Sequence, residues 1–379
     1  EVEYNQLLTS IPVVRCRKLS KIAMLFLISR SVVKPMLRLF LFLVFAVLVV
    51  TSGISRGSAR GSVAPELQRF SRTEYLMGVD FRIDLYARSE MEAGGAFKAA
   101  FSRIADLEQC LSNYRADSEL SQLCTNATKT RSIKVSDELW EVLVFAKRIS
   151  HLSNGAFDVT IGRATKLWRR ARRQRELPTE QRLREELQFV GFEKLILNPI
   201  DQSVTLRTPG LLIDLGAIGK GYAADEAMKI LEELGITRAV VNASGDVRFG
   251  AAPPNSAGWP TGIGALSAAG PPILLQPQSY GAVATSGDAF QFIEIDGKRY
   301  SHILDPRTGR PIQVRSSVSV WAATGMAADA LASAVSVLGP RRGLRLVRKL
   351  DGVEALVIWD RDGDATGAMF RTRGFPLAK

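Results

Sequence analysis

The pattern of apolar and polar positions changes period several times along this chain. Residues 77–87, MGVDFRIDLYA, alternate apolar and polar, which predicts a strand with one buried face. From 93 to 110, Phe97, Phe101, Ile104 and Leu107, followed by Leu111, recur at spacings of three and four, which predicts an amphipathic helix. Asp117 and Ser118 open a shorter helix through SELSQLC, and Asp137–Leu152 reads as another with a Ser/Asp start signal. Residues 169–190 are strongly charged and predict an exposed helix–loop insert. Strand patterns follow at 194–197 and 203–208. A short apolar run at 211–215, carrying Asp214, leads as a strand into a Gly-rich turn and a helix closed by Gly235. Beyond a strand at 238–242, residues 250–277 are rich in Gly and Pro and read as loops with strands between them. Short strands are expected at 291–295, 301–304 and 317–322, helices at 327–338 and 343–349, and terminal strands at 353–358 and 368–371. Strands and helices intermingled in this way describe an α/β or α+β body.

One stretch fits no part of that body. Residues 39–54 carry no charge and hold the apolar run LFLFLVFAVLVV, preceded by basic residues and followed by small and polar ones. That order describes a secretory signal, complete if read from Met36. The run is short of the roughly 20 residues that a spanning helix prefers, so a signal-anchor and a buried core helix are the competing readings. The expectation is export, with the leader cleaved or retained as an anchor; residues 1–35 are then an over-extended start or a cytoplasmic extension. No Cys follows the apolar run, so a lipoprotein link at that point is excluded.

Length, 379 residues, predicts roughly two domains. A hydrophobic content of 46% is ordinary for a packed core and excludes disorder for most of the chain. Three Cys exclude a disulfide-dense scaffold, and two His exclude a His-based metal cluster. Cys110 and Cys124 read as two separate buried thiols, with a disulfide between them the alternative that an exported domain permits. The net charge of +12 suggests a nucleic-acid or anionic-membrane partner until it is located. Residues 1–60 hold nine Lys and Arg against two Glu, and residues 166–186 hold eight against four. The remainder is nearly neutral, and no nucleic-acid motif is present, so no nucleic-acid partner is expected.

Five segments carry candidate chemistry. In Ile213-Asp214-Leu215-Gly216-Ala217-Ile218-Gly219-Lys220-Gly221-Tyr222, glycines open the backbone N–H groups to an anion, and a helix N-terminus and Lys220 add positive charge. The spacings match neither a dinucleotide fingerprint nor a P-loop, and a plain Gly-rich turn with a surface Lys is an even alternative. On the helix at 327–338, Asp329 and Ser333 share a face and offer a carboxylate and a hydroxyl to a hard cation such as Mg²⁺, although the segment alone reads more simply as a helix-N-terminal Asp with an incidental Ser. In YSHILDPRTG, at 300–309, His302 ends a strand before an Asp-Pro turn and is a candidate base. GAFDVTIG, at 155–162, and LSNYRADSEL, at 111–120, are uninformative alone, although Tyr114 could stack on a planar ring. His151 ends a helix and reads as a surface or capping residue.

Together and in this order the pieces resemble the FAD:protein FMN transferase family, the ApbE-like flavin transferases. The matching segments are MGVDF, LSNYRADSEL, GAFDVTIG, IDLGAIGKGYAAD, VNASGD, VATSGD, YSHILDPRTG and AADALASAVSVLG, from Met77 onward. The resemblance implies an α+β fold: a single ApbE-like, T-fold-related domain at 63–379, with a central mixed sheet flanked by helices, behind a leader and linker at 1–62. It implies FAD as substrate, with Met77, Tyr114, Ala156, Phe157, Asp158, Asp214, Lys220 and Ile303 at flavin-nucleotide contact positions. It implies Mg²⁺ held by the Ala217 carbonyl and the Asp329 and Ser333 side chains, with His302 beside the pyrophosphate. The implied reaction moves the FMN half of FAD to a Thr or Ser hydroxyl of an acceptor flavoprotein of redox or electron transport, releasing AMP. His302, helped by a carboxylate such as Asp305, would take the hydroxyl proton. With the leader read as above, the expected location is the periplasmic side, with inner-membrane association only where the leader is retained as an anchor. Two departures stand out: Ser333 occupies a position where Thr is common, and Ala243-Ser244-Gly245-Asp246 replaces a Gly-Gly-Asp turn. An FAD pyrophosphatase, or a non-catalytic exported flavin-binding protein, are the competing readings.

Overall fold

In this computed structural model, residues 66–266, 270–288, 291–360 and 367–378 are described. The apolar run at 39–54, the linker after it and Cys16 lie outside them. Among the described residues no helix is long and apolar enough to cross a membrane.

Eight strands form the main sheet: β1 (Gln68–Leu76), β2 (Val79–Ala87), β3 (Ala239–Ala243), β4 (Asp246–Phe249), β5 (Ala282–Gly287), β6 (Arg315–Ala322), β7 (Glu354–Asp360) and β8 (Ala368–Arg371). Their order in space follows their order in sequence, and every pairing is antiparallel. The α+β class expected from the sequence is what the chain has, with an antiparallel sheet where a mixed one was expected. β2 shows why the period of two is legible: Phe81, Ile83, Leu85 and Ala87 are fully buried, while Asp84 points the other way to Arg69 and Arg82.

Among the described residues seven α-helices accompany the sheet: α1 (Glu90–Leu111), α2 (Glu119–Asn126), α3 (Asp137–Leu152), α4 (Gly162–Gln174), α5 (Glu180–Leu187), α6 (Gly219–Glu233) and α7 (Gly325–Val347). Serines 89, 118 and 136 cap the first three, each accepting the backbone N–H three residues on, which agrees with the start signals read before α2 and α3. α7 breaks at Gly339, whose φ of 71° and the Pro340 after it explain the two separate helices that the sequence suggested. α1, α6 and α7 bury the main core against one sheet face. A smaller cluster around Phe249, Trp259, Val283 and Phe375 covers part of the other. Cys110 and Cys124 are separate thiols, as expected; burial pushes Cys110 up to about 12 and Cys124 to about 11, so both stay protonated.

Two expected strands differ. Residues 211–215 have no regular strand; Leu212 O accepts from Gly162 N and Asp214 N donates to Val159 O at 2.7 Å, so the segment lies along the 155–162 turn instead of a sheet. The segment 301–304 is interrupted, because one hairpin ends at Ser301 and the next begins at Leu304, leaving His302 and Ile303 in the connection.

Candidate active site

The site is built where two helix N-termini cross. α6 has no side-chain cap of its own. Its Gly221 N–H donates to Asp329 Oδ2 of α7 at 3.2 Å. In return Asp225 of α6 accepts from Gly325 N at 2.8 Å and Met326 N at 2.9 Å, the first amides of α7. Each helix thus supplies the carboxylate that satisfies orphan amides of the other. The crossing is this close because Gly221 and Gly325 have no side chains: a Cβ on Gly221 would stand 2.1 Å from Gly325 O, and one on Gly325 would stand 2.5 Å from Gly221 O.

Lys220 sits inside this crossing. Its Nζ lies 2.9 Å from Asp246 Oδ2 and 3.3 Å from Asp329 Oδ2, and donates to Gly216 O at 3.3 Å. Burial alone would lower the ammonium, but the two carboxylates outweigh it and hold Lys220 above its ordinary range. Burial and the Asp329 charge push Asp246 up, against the pull of Lys220. Asp225 is pushed to about 6 by burial despite Arg248, 2.9 Å away, and the two amides. Three acids and two cations in one layer, with Asp246 and Asp329 buried and the others half-buried, is an expensive arrangement unless a charged ligand uses it.

Several predicted positions gather around this layer. Met77 forms the tip of the β1–β2 hairpin with φ of 51°, unusual for a side chain of its size, and its Cε lies 3.5 Å from where a Gly219 Cβ would stand. Asp214 accepts from Gly216 N at 2.9 Å through Oδ1 and from Arg169 Nη2 at 3.0 Å through Oδ2. The Arg169 guanidinium lies 4.2 Å over the otherwise exposed ring of Tyr114. Tyr114, Arg169, Asp214 and the Gly-rich turn are therefore one connected set. The 155–162 turn joins it through the Val159–Asp214 bond, with Ala156 and Phe157 buried. The Asp158 carboxylate is spent inside that turn, accepting from Thr160 N and Oγ1 at 2.9 and 2.7 Å.

His302 Nδ1 lies 2.9 Å from Gln291 O. A carbonyl only accepts, so Nδ1 carries the proton and Nε2 is the free acceptor. The ring keeps an exposed edge but is crowded elsewhere, and that crowding lowers its pKa. The Gln291 carbonyl opposes this, Lys220 and Arg172 add to it, and Asp288 opposes it, so the imidazole is neutral near pH 7. Asp305 is not in this group: its oxygens accept from the Arg307 side chain at 2.8 and 2.7 Å, which fixes the turn after the buried Ile303.

The donors expected for a cation are oxygens of three kinds. Among the described residues no group of three or more His, Cys, Asp or Glu could hold a metal, so a cation here must draw on hydroxyl and carbonyl oxygens as well. That mixture fits. Because Gly221 N–H goes to Asp329, no bond from a described residue ends on Ala217 O. Ser333 Oγ meets Ser286 Oγ at 3.2 Å, and Asp329 is 3% exposed. One carboxylate, one hydroxyl and one carbonyl suit Mg²⁺, which fills its remaining positions with water and phosphate oxygens.

Sequence reasoning named Lys220 and Asp329 but missed Asp246, Asp225 and Arg169 as partners. Asp246 and Asp225 end the VNASGD and GAIGKGYAAD segments, which was the available signal; Arg169 was counted only as part of a basic patch.

Paired helix N-termini, a buried lysine–carboxylate layer and hard-cation donors over an antiparallel sheet define an α+β protein suited to a phosphorylated ligand. Residues 77–357 match the model of the ApbE family, and the chain belongs to that family. It is 32% identical over 311 residues to the FAD:protein FMN transferase of Treponema pallidum, covering 77% of this chain and 85% of that one. It is 31% identical over 271 residues to that of Haemophilus influenzae, covering 69% and 78%. The solved flavin transferase ApbE from Vibrio cholerae superposes with a TM-score of 0.72 at 27% identity, over 82% of this chain and 99% of that one.

Proposed function

We propose that this chain is an FAD:protein FMN transferase, moving the FMN moiety of FAD onto a Thr or Ser hydroxyl of an acceptor protein and releasing AMP. The observation that carries this is the Lys220–Asp246–Asp329 layer at the crossing of α6 and α7, in a chain of the ApbE family. Positive helix ends and a lysine suit the FAD pyrophosphate. Met77, Tyr114 and Asp214 form the neighbouring wall for the flavin nucleotide, with Arg169 fixing both Tyr114 and Asp214.

In the transfer, the acceptor hydroxyl oxygen bonds to the FMN phosphorus as the bridging P–O bond to AMP breaks. His302 Nε2 takes the hydroxyl proton, its ring held by Gln291 O. Lys220 and the positive end of the α6 dipole meet the charge that develops on the phosphoryl oxygens. Ala217, Asp329 and Ser333 are the residues that would hold Mg²⁺, which when bound supplies charge neutralisation on the pyrophosphate. Asp305 serves the turn rather than proton transfer, given its commitment to Arg307. The apolar run at 39–54 and the basic residues that precede it support export to the periplasmic side, with attachment to the inner membrane where the leader is retained; the acceptor is then a redox or electron-transport protein on that side.

Incubation with FAD, Mg²⁺ and a candidate acceptor, read by intact mass and AMP release, tests the reaction. A mass gain of one FMN on the acceptor supports transfer, whereas AMP with no gain on any acceptor supports pyrophosphatase activity instead.

A further inference from the structure

Helix α4 has two basic faces, and only one of them serves the site above. Trp168, Arg169 and Arg172 fall within one side of the helix at 100° per residue. Trp168 Nε1 donates to Gly309 O at 2.8 Å, Arg169 binds Asp214, and Arg172 lowers the pKa of His302. Arg163, Lys166, Arg170 and Arg173 fall on the opposite side. With Arg182 and Glu186 of α5 they line a groove of about 250 Å³, floored by Leu167 and Leu212. Glu186 is already shared between Arg163 and Arg182. No carboxylate among the described residues pairs with Lys166, Arg170 or Arg173. Arg170 Nε donates to Gln174 Oε1 at 2.8 Å, a neutral partner, so the groove carries three cations that no carboxylate among the described residues neutralises.

α5 repeats the two-sided design. Arg182 and Glu186 face the groove, while Leu183 and Leu187 pack against Gly309 in the turn that follows His302. The groove thus shares both its walls with the site and lies on the far side of α4 from it, and a helix with its side chains is about 10–12 Å across.

We propose that the α4–α5 groove is the docking site for an acidic, extended segment of the acceptor protein. This rests on the transferase reading. Charge complementarity sets the sign of the partner, and concavity with an apolar floor suits a peptide better than the flat face of a bilayer. A helix width is spanned by about three to four residues of extended chain, so the acidic stretch lies that close in sequence to the hydroxyl that receives FMN.

The test uses the described enzyme chain and a variant with Lys166→Gln, Arg170→Gln and Arg173→Gln. A control carries Arg341→Gln, Arg342→Gln and Arg345→Gln, three exposed arginines of α7, and so has the same net charge. Binding of a fluorescent oligo-aspartate peptide is followed by anisotropy without FAD. The groove variant should lose about tenfold or more in affinity, the control little, and both should bind FAD as the parent does. In the transfer assay the groove variant should raise KM for the acceptor and leave kcat unchanged. Equal loss in both variants, no loss in either, competition by inorganic phosphate as effective as by the peptide, or binding of phosphatidylglycerol vesicles in place of the peptide would each overturn the proposal. A parent enzyme that binds the peptide but modifies no acceptor would instead count against the transferase reading, so the two failures are separable.

Discussion

Asp225 and Asp329 each cap the helix that the other belongs to. Asp329, on α7, accepts the Gly221 amide of α6, and Asp225, on α6, accepts the Gly325 and Met326 amides at the start of α7. This exchange locks two positive helix ends side by side and leaves Lys220 between Asp246 and Asp329. The site is thus a property of the crossing, and a change that separates the helices should be felt as a loss of ligand binding before it is felt as unfolding.

Gly221→Ala tests that. The added methyl would meet the Gly325 carbonyl 2.1 Å away and the Asp329 Cβ at 2.9 Å, neither of which is the end of a flexible chain. The variant should lose about 1–3 kcal/mol of stability in denaturant titration. It should also lose most of its FAD affinity under conditions where it is still folded. Wild-type FAD affinity in the folded variant would show that the close crossing is not needed.

Arg169 is the second point where one side chain holds two elements of the site. It bonds Asp214 at 3.0 Å and covers Tyr114 at 4.2 Å. Arg169→Lys retains the charge but loses the planar fork and the stacking surface. FAD affinity should fall by about tenfold, or about 1.4 kcal/mol, as read by flavin fluorescence titration. Arg173→Gln, on the other face of α4, should leave that affinity unchanged.

How much of this was legible in the sequence depends on how local the cause is. α1, α3 and β2 announce themselves because their buried residues repeat at the period of the element, as with Phe97, Phe101 and Ile104. β1 was missed because it is an edge strand whose residues are nearly all exposed, so it has no apolar alternation to read. β5, with its run Ala-Val-Ala-Thr-Ser-Gly, has too little bulk to signal a strand, although it is buried mid-sheet. The 211–215 run looked like a strand because it is apolar, but nothing in sequence shows that its partner is a turn. In the site, Lys220 and Asp329 stood out through their motifs. Asp246 did not, because its role depends on β4 being brought beneath the α6–α7 crossing. The arginine run read as one patch, and only the helix geometry divides it into two faces.

The pH dependence of transfer follows from His302. Its ordinary value near 6.5 is lowered by crowding, and Lys220 and Arg172 lower it further. The neutral ring is the form that accepts a proton, so the acid limb of the kcat/KM profile should lie below pH 6.5. Arg172→Gln removes one of the cations that disfavour the imidazolium. The proton then binds more readily, and the acid limb should move upward in pH. A limb that stays in place, or moves down, would mean that another group controls it.

The cation donors allow a separation of metal binding from fold. Among the described residues the side-chain partner of Ser333 is Ser286 Oγ at 3.2 Å, so its loss should cost little stability. Ser333→Ala removes a neutral oxygen donor and should weaken Mg²⁺ binding about tenfold or more, whereas Ser333→Thr keeps the hydroxyl and should bind as the parent does. Calorimetric titration of Mg²⁺ in the presence of FAD reads this directly, and transfer by the Ala variant should recover as Mg²⁺ is raised. Asp329→Asn should behave differently. It removes the charge that Lys220 Nζ meets at 3.3 Å and weakens the cap on Gly221, so both metal affinity and stability should fall, and excess Mg²⁺ should not restore transfer. If Asp329→Asn and Ser333→Ala were rescued equally by Mg²⁺, Asp329 would be a metal donor only, and its part in holding the helix crossing would have to be given up.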